Sequence, residues 1–487
     1  MSEEKNEQGQ RRGLQRSLKA RHMNMIAIGG AIGTGLFVAG GETISTAGPG
    51  GALLAYSLIG VMVYFLMTGL GEMAAYLPVS GSFEAYASRY VDESLGFALG
   101  WNYWFNWAIT LAAELVAGAL IMKFWFPTVP SAVWSGLFLL LLFGLNLLST
   151  RVYGEGEFLF ASIKVIAVLV FLFCGAMMIL GIGPYPSPGF TNWTIGDAPF
   201  VGGAMGILSI FMVAGFSFQG TEIIGIAAGE SENPEKNVPR AVRTIFWRIL
   251  LFYLGSFIVI GFLIPYTDPN LLKSDVQSIS ISPFTLVFKR LGLAGAASLM
   301  NAILLTSVLS SGNSGVYVAT RMLYAMARAG QAPKCFLKVN SRGIPVNGLY
   351  ATVAFGLVAF LTSLIGDGVA YNWLVNMSGL AGFIAWIGIA ICQYRFRKAY
   401  VAQGKDLNKL PYKAPLYPFG PILAFLMCVF VTAGQNYTAF LGDHIDWYGV
   451  SVAYIGLPVF LATFLYHKIK HKTHIIPLDK VDLSRHE

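Results

Sequence analysis

Long apolar runs alternate along the chain with short polar segments that are mostly basic. Covering the roughly 30 Å of a bilayer's hydrocarbon takes about 20 helical residues. Runs at approximately 23–46, 51–76, 96–125, 132–149, 157–182, 202–228, 244–265, 291–325, 347–365, 371–393, 417–439 and 448–467 meet that length, so the pattern predicts an all-α polytopic membrane protein with 12 transmembrane helices. Two runs are interrupted. Gly29-Gly30-Ala31-Ile32-Gly33-Thr34-Gly35 breaks the first, and Ala214-Gly215-Phe216-Ser217-Phe218-Gln219-Gly220-Thr221-Glu222 breaks the sixth. Glycine at such density weakens a helix, so each run predicts two half-helices meeting at bare backbone. The eighth run carries Asn301, Ser307, Ser310, Ser311, Asn313 and Ser314, which predicts a helix packed on protein or lining a cavity.

Composition agrees with this reading. The 487 residues are 55% hydrophobic and only 12% charged, where soluble domains carry about 25% charge. Too few charges remain to clothe a soluble surface, so the lipid bilayer must face much of the chain. The net charge of +8 does not mark a nucleic-acid surface, because the basic residues sit in the gaps between runs. Placing the N-terminus inside puts all 33 Lys and Arg on inner segments except Lys123, Lys164, Lys273, Lys289 and Arg290. That bias predicts both termini in the cytoplasm, with residues 1–22 and 468–487 as tails. Cys174, Cys335, Cys392 and Cys428 have no metal-ligand spacing, and the sequence implies neither a metal nor another cofactor.

The two breaks are five spans apart. Spans 1–5 (23–182) and 6–10 (202–393) therefore read as two copies, a five-plus-five inverted repeat with spans 11 and 12 (417–467) appended. An odd number of spans per copy reverses its orientation, the arrangement alternating access uses.

A helix break supplies unpaired carbonyls at the end of one half and unpaired N–H groups at the start of the next. Carbonyls suit an ammonium and amide N–H groups suit a carboxylate, so two facing breaks match the two ends of a free amino acid. Ile32, Gly33, Thr34 and Gly35 at the first break, with Phe216, Ser217 and Phe218 at the second, are the candidate substrate contacts. Packing of small residues between helices is the bland reading of Gly33-Thr34-Gly35.

Ionisable residues inside a span are expensive and are functional candidates by default. Glu222 could bind a substrate's side-chain ammonium or carry a coupling proton; capping a neighbouring helix is the structural alternative. Glu114 in span three could line the cavity or pair with another helix. Glu230 reads as part of an inner gate, opposed to Arg240 or Arg243, and Glu72 as a structural partner. Lys164 in span five could relay a proton or stand as a fixed cation, or reach to the inner lipid interface. No nucleophile–base pair stands out, so no catalytic residue is assigned.

These residues carry a family resemblance. Leu18-Lys19-Ala20-Arg21-His22 leading into Ile28–Phe37, Pro78-Val79-Ser80-Gly81-Ser82-Phe83, Gly96–Tyr103 and Gly215–Glu222 through Pro234 resemble bacterial amino-acid permeases of the amino acid–polyamine–organocation superfamily, in a lysine-specific branch. The resemblance runs from about Leu18 to the last span. It implies proton-coupled uptake with the substrate's α-groups held at both breaks. It also implies that Lys164 stands near the place a sodium ion takes in sodium-coupled relatives, and that Glu222 reads a cationic side chain.

The combined expectation is proton-coupled uptake of a cationic amino acid, most readily L-lysine, across the cell inner membrane. A neutral or aromatic substrate, or a transporter-like amino-acid sensor, is the alternative.

Overall fold

The computed structural model describes residues 14, 16–29, 33–37, 39–182, 186–272, 282–290, 295–361, 366–440 and 444–485. Among them every element is helical apart from two isolated bridges, Leu18 with Ser231 and Val339 with Pro345. Eight of the described helices are long and apolar enough to cross a bilayer, and a pair bent by 50°, Trp447–Tyr454 with Gly456–His471, makes a ninth. The protein is an all-α, multi-pass membrane protein.

The first apolar run is split. Helix α1 (Ala20–Gly29) and the single turn α2 (Thr34–Phe37) precede α3 (Ala39–Tyr76). Inside α3, Gly48 adopts φ 73 and ψ 172 just before Pro49, so the helix comprises two pieces meeting where the first two apolar runs divide. Buried backbone groups freed at such a kink need partners. The Pro199 carbonyl accepts from the N–H groups of Gly50 (2.9 Å) and Gly51 (3.2 Å), while Val201 N–H donates to Ala47 (3.0 Å).

A short helix α4 (Phe83–Tyr90) leads into α5 (Glu93–Met122), whose Asp92 cap accepts from Ser94 N–H. Helix α5 is buried almost all round and forms the axis of the bundle. After α6 (Ser131–Leu148), α7 (Thr150–Ile179) turns one face inward: Tyr153, Glu157, Ala161, Lys164, Val168 and Phe171 recur at three- and four-residue spacing. Leu159, Ile166, Leu169 and Phe173 on the other side are exposed, as lipid contact requires.

The sixth run is broken into α8 (Gly203–Ser209), α9 (Phe211–Phe218) and α10 (Ile223–Ala227). Helix α11 (Pro234–Arg248) passes through a π-helical turn, Ile249–Leu254, into α12 (Gly255–Leu263). After α13 (Pro283–Arg290) comes α14 (Ala296–Arg328), packed most extensively on α5. Then follow α15 (Val346–Gly356), α16 (Asp367–Ala402), α17 (Phe419–Gly434), α18 (Trp447–Tyr454) and α19 (Gly456–His471).

Both tails lie at one end of the bundle. Leu18 pairs in parallel with Ser231: its N–H donates to Glu230 (3.0 Å) and its carbonyl accepts from Glu232 (3.0 Å). On the C-terminal side, Tyr76 donates to Leu483 (2.7 Å), Gln403 to Val481 (2.7 Å) and Ile476 to Val91 (2.9 Å). Arg89 reaches Asp482 (2.5 Å) and Arg485 pairs with Glu235. Segment 476–485 thus ties α3, α4, α11 and α16 together.

Glu72 of α3 and Arg397 of α16 form a buried bidentate pair, with Arg397 Nε donating at 2.7 Å and Ala414 N–H adding a bond at 2.6 Å. Glu72→Ala leaves that guanidinium buried without its partner. It should cost about 3–5 kcal/mol, seen as a lower unfolding temperature of purified protein.

Glu84 in α4 is buried with one oxygen lacking a protein partner among the described residues. Burial pushes its carboxyl from 4.5 up to about 8, against a weaker opposing hydrogen bond from Ser88. Between those values the unfolded chain loses its proton while the folded chain keeps it, so stability falls as pH rises. Wild-type protein should lose thermal stability from pH 5 to pH 8, and Glu84→Gln should remove most of that slope.

Candidate functional site

The two breaks face each other at mid-bundle. The closest approach is between Gly35 and Ser217, where a Cβ on residue 35 would lie 2.6 Å from the Ser217 Cα. Only glycine fits there. At the second break Gly220 takes φ 92, a conformation that side chains resist, and this separates α9 from α10.

The chain ends exposed at the breaks are held by side chains from α11 and the turn after it. Arg248 donates to the Ala27 carbonyl at the end of α1 (2.7 Å) and to the Tyr253 hydroxyl (3.1 Å). Tyr253 in turn donates to the Ser217 carbonyl (2.7 Å), and Tyr56 shares a hydrogen bond with the Ser217 hydroxyl (2.9 Å). The path Arg248–Tyr253–Ser217 therefore fastens one break to the other. A guanidinium at the carbonyl end of a half-helix is also favoured by the helix dipole.

A cavity of about 30 Å³ lies between the breaks. Gly33, Gly35, Phe216, Ser217 and Gln219 supply its break side; Trp107, Thr110 and Glu114 of α5 and Ser311 of α14 supply the other. That space holds about one water. Ser311 and Glu114 line it together, and the Glu114 Oε2 has no protein partner among the described residues. Deeper in α5, Thr110 bonds Ser378 (2.7 Å), which donates to Asn106 (2.8 Å), fixing the wall behind.

The sequence candidates do not all meet here. Gly33, Gly35, Glu114, Phe216 and Ser217 line the cavity. Ile32 lies outside the described residues, and of Thr34 only its place at the start of α2 is described. Phe218 faces away, its ring 4.1 Å from that of Tyr253 and 5.9 Å from that of Tyr56. Glu222 lies behind the cavity wall, where it accepts from Tyr103 (2.9 Å), Trp386 (3.1 Å) and Gly220 N–H (3.1 Å). Gln219, one turn before it, donates instead to the Gly379 carbonyl (2.9 Å).

Lys164 is fully buried on α7. The carboxylate acting on it most strongly is Glu157, followed by Glu114, and Arg248 opposes both. Glu230 is opposed neither by Arg240 nor by Arg243. It takes Arg321 of α14 (2.8 Å), with further bonds from Tyr317 (2.8 Å) and Thr150 (2.7 Å). Arg240 and Arg243 belong to the solvent-facing start of α11, whereas Arg321 lies on the buried face of α14.

Sequence reasoning passed over Arg248, Tyr253 and Glu157. Arg248 sits at the edge of an apolar run and reads there as one more inner-segment cation. Glu157 opens the fifth run and shows its seven-residue spacing to Lys164 only once the helix is known. Seven residues are about two turns, which places both on one face.

Broken helices enclosing a mid-bundle cavity lined by a buried carboxylate, Glu114, define a secondary-transporter architecture. The amino acid permease family model matches residues 22–479. The chain belongs to the amino acid permease family, and so is a transporter and not an enzyme. It is 57% identical over 477 residues to the lysine-specific permease LysP of Escherichia coli strain K12, covering 98% of this chain and 97% of that protein. It is 54% identical to the lysine-specific permease LysP of Lactococcus lactis, covering 97% and 94%, and 49% identical to the histidine permease HisP of the same organism, covering 97% and 98%.

Gly35→Ala should abolish transport while the protein still reaches the membrane, because its methyl group meets Ser217 backbone that cannot swing aside. Tyr253→Phe removes the bond to the Ser217 carbonyl and should cost about 1–3 kcal/mol of stability, measurable by thermal unfolding in detergent.

Proposed function

We propose that the protein takes up a cationic amino acid, L-lysine before others, by proton-coupled alternating access across the cell inner membrane. The observation that carries the substrate reading is Glu114: a buried carboxylate in the cavity between the breaks, with one oxygen unpartnered among the described residues. The substrate's α-ammonium and carboxylate go to the breaks at Ile32–Gly35 and Phe216–Phe218. Its side-chain ammonium then points across the cavity to Glu114 and Ser311. A neutral side chain would leave that carboxylate buried and unpaired, which gives selectivity. The relatives named as lysine-specific permeases support the choice of lysine.

Glu222 takes the other task. Its oxygens already accept from two helices and from the Gly220 N–H, so it suits a proton that alters the second break better than it suits a substrate group. Lys164 supplies a buried cation where no metal is needed, and Glu230 with Arg321 forms the gate at the tail end of the bundle. The end bearing the tails faces the cytoplasm on the charge bias of the connecting segments. The twelve-span reading adds the split run of α1 to the start of α3, and the shorter apolar helices Val346–Leu361 and Phe419–Gly434, to the nine candidates.

Reconstituted protein should accumulate lysine under an imposed proton gradient and not under a sodium gradient, with arginine and ornithine competing better than phenylalanine. Phenylalanine as the better competitor would replace this substrate reading with the neutral or aromatic one. Binding without net flux would replace it with a sensor. Glu114→Gln should raise the KM for lysine about tenfold or more, the loss of one charge-assisted contact. Glu222→Gln should lower gradient-driven accumulation more than it lowers lysine affinity; unchanged accumulation would remove Glu222 from the coupling.

A further inference from the structure

One side of α14 carries a row of polar and aromatic contacts between the cavity and the gate. Ser311 lines the cavity beside Glu114. Its neighbour Ser310 donates to Glu157 Oε1 at 2.7 Å. Ser314, one turn further, shares a hydrogen bond with Tyr153 at 3.2 Å, and the Tyr153 ring stacks on Tyr317 with centroids 4.0 Å apart. Tyr317 and Arg321 then bond Glu230. Residues 310, 314, 317 and 321 recur at four, three and four, the spacing of a single helix face. Each meets a group on α7 or on the 3₁₀ turn after α10.

Glu157 is the member of this series to which neither the sequence reading nor the proposed function gives a task. It is fully buried, and its Oε2 has no protein partner among the described residues. A carboxylate held that way at membrane depth is costly and marks function more often than scaffolding. The groups facing it are Lys164 and Tyr153 from its own helix, and Ser310 and Ser314 from α14. Glu114 of α5 and Arg248 act on Lys164 from the other sides, and Glu230 and Arg321 lie beyond Tyr153.

We propose that Glu157 is a proton-coupling residue that binds and releases the transported proton, and that α14 carries its charge state to Glu114 on one side and the gate pair on the other. The step balances: the Glu157 carboxylate binds the transported proton to become the carboxylic acid, and releases it to restore the carboxylate. In the ionised form Ser310 donates to Glu157. In the neutral form the acid can donate through its unpartnered oxygen, and Ser310 is freed to turn. Ser311 turns with the same helix, so its place beside Glu114 changes as well. This inference rests on the proton-coupled reading given above.

The test compares gradient-driven lysine accumulation with lysine exchange at equal pH in proteoliposomes. Glu157→Gln should reduce accumulation at least about tenfold more than exchange, and Glu157→Asp should recover part of it. Equal loss of both, or accumulation at the wild-type level, would overturn the proposal. Ser310→Ala keeps the carboxyl and removes its donor. It should shift the pH profile of accumulation while the KM for lysine stays within about twofold, and an unmoved profile would also overturn it. Should wild-type protein show no proton-driven accumulation, the coupling reading itself fails. Should wild type accumulate lysine and Glu157→Gln match it, only the role of Glu157 fails.

Discussion

Hydrocarbon offers no hydrogen bonds, so every polar group carried into it must find a partner within the protein. The rest of this structure follows from how that demand is met at two interrupted helices. Carbonyls at the end of α1 and within the second break are claimed by Arg248 and, through it, Tyr253. One hydrogen-bonded path, Arg248 to Tyr253, therefore links the two breaks. Close contact of Gly35 with Ser217 adds a steric tie to the electrostatic one. What remains between them is a space small enough to be sealed and polar enough to want an occupant.

The remaining buried charges divide by how fully they are matched. Glu72 with Arg397, and Glu230 with Arg321, are paired and further hydrogen-bonded, as a membrane interior requires of buried charges. Glu114 and Glu157 each keep an oxygen without a protein partner among the described residues. Both lie on the path along α14, where an oxygen without a protein partner is open to a ligand or a proton.

Much of the architecture was legible in the chain. Apolar run length and the glycine clusters marked an all-α membrane bundle and both interruptions, since lipid permits few alternatives for a peptide group. Gly33, Gly35, Glu114, Phe216 and Ser217 were chosen from local pattern and share one cavity in the structure. The pattern did not distinguish which residues of a break point inward. Phe216 and Phe218 read alike in sequence, yet only the first lines the cavity, because successive helical side chains point about 100° apart. Partners distant in sequence were less legible still. Proximity along the chain suggested Arg240 or Arg243 for Glu230, whereas the bundle brings Arg321 to it from 91 residues away. Glu157 hid for a similar reason: its meaning lies in Ser310, on another helix.

The docked segment at 476–485 has a bearing on biogenesis. Its anchors on α3, α4, α11 and α16 are synthesised and inserted well before it emerges, since it follows the last bilayer-crossing helix in the chain. A ribosome must therefore finish all the spans before this clasp can close over the face they share. Emergence of this segment and sealing of that face are joined in time, and a nascent chain stalled after α19 would be threaded through the lipid yet still unfastened.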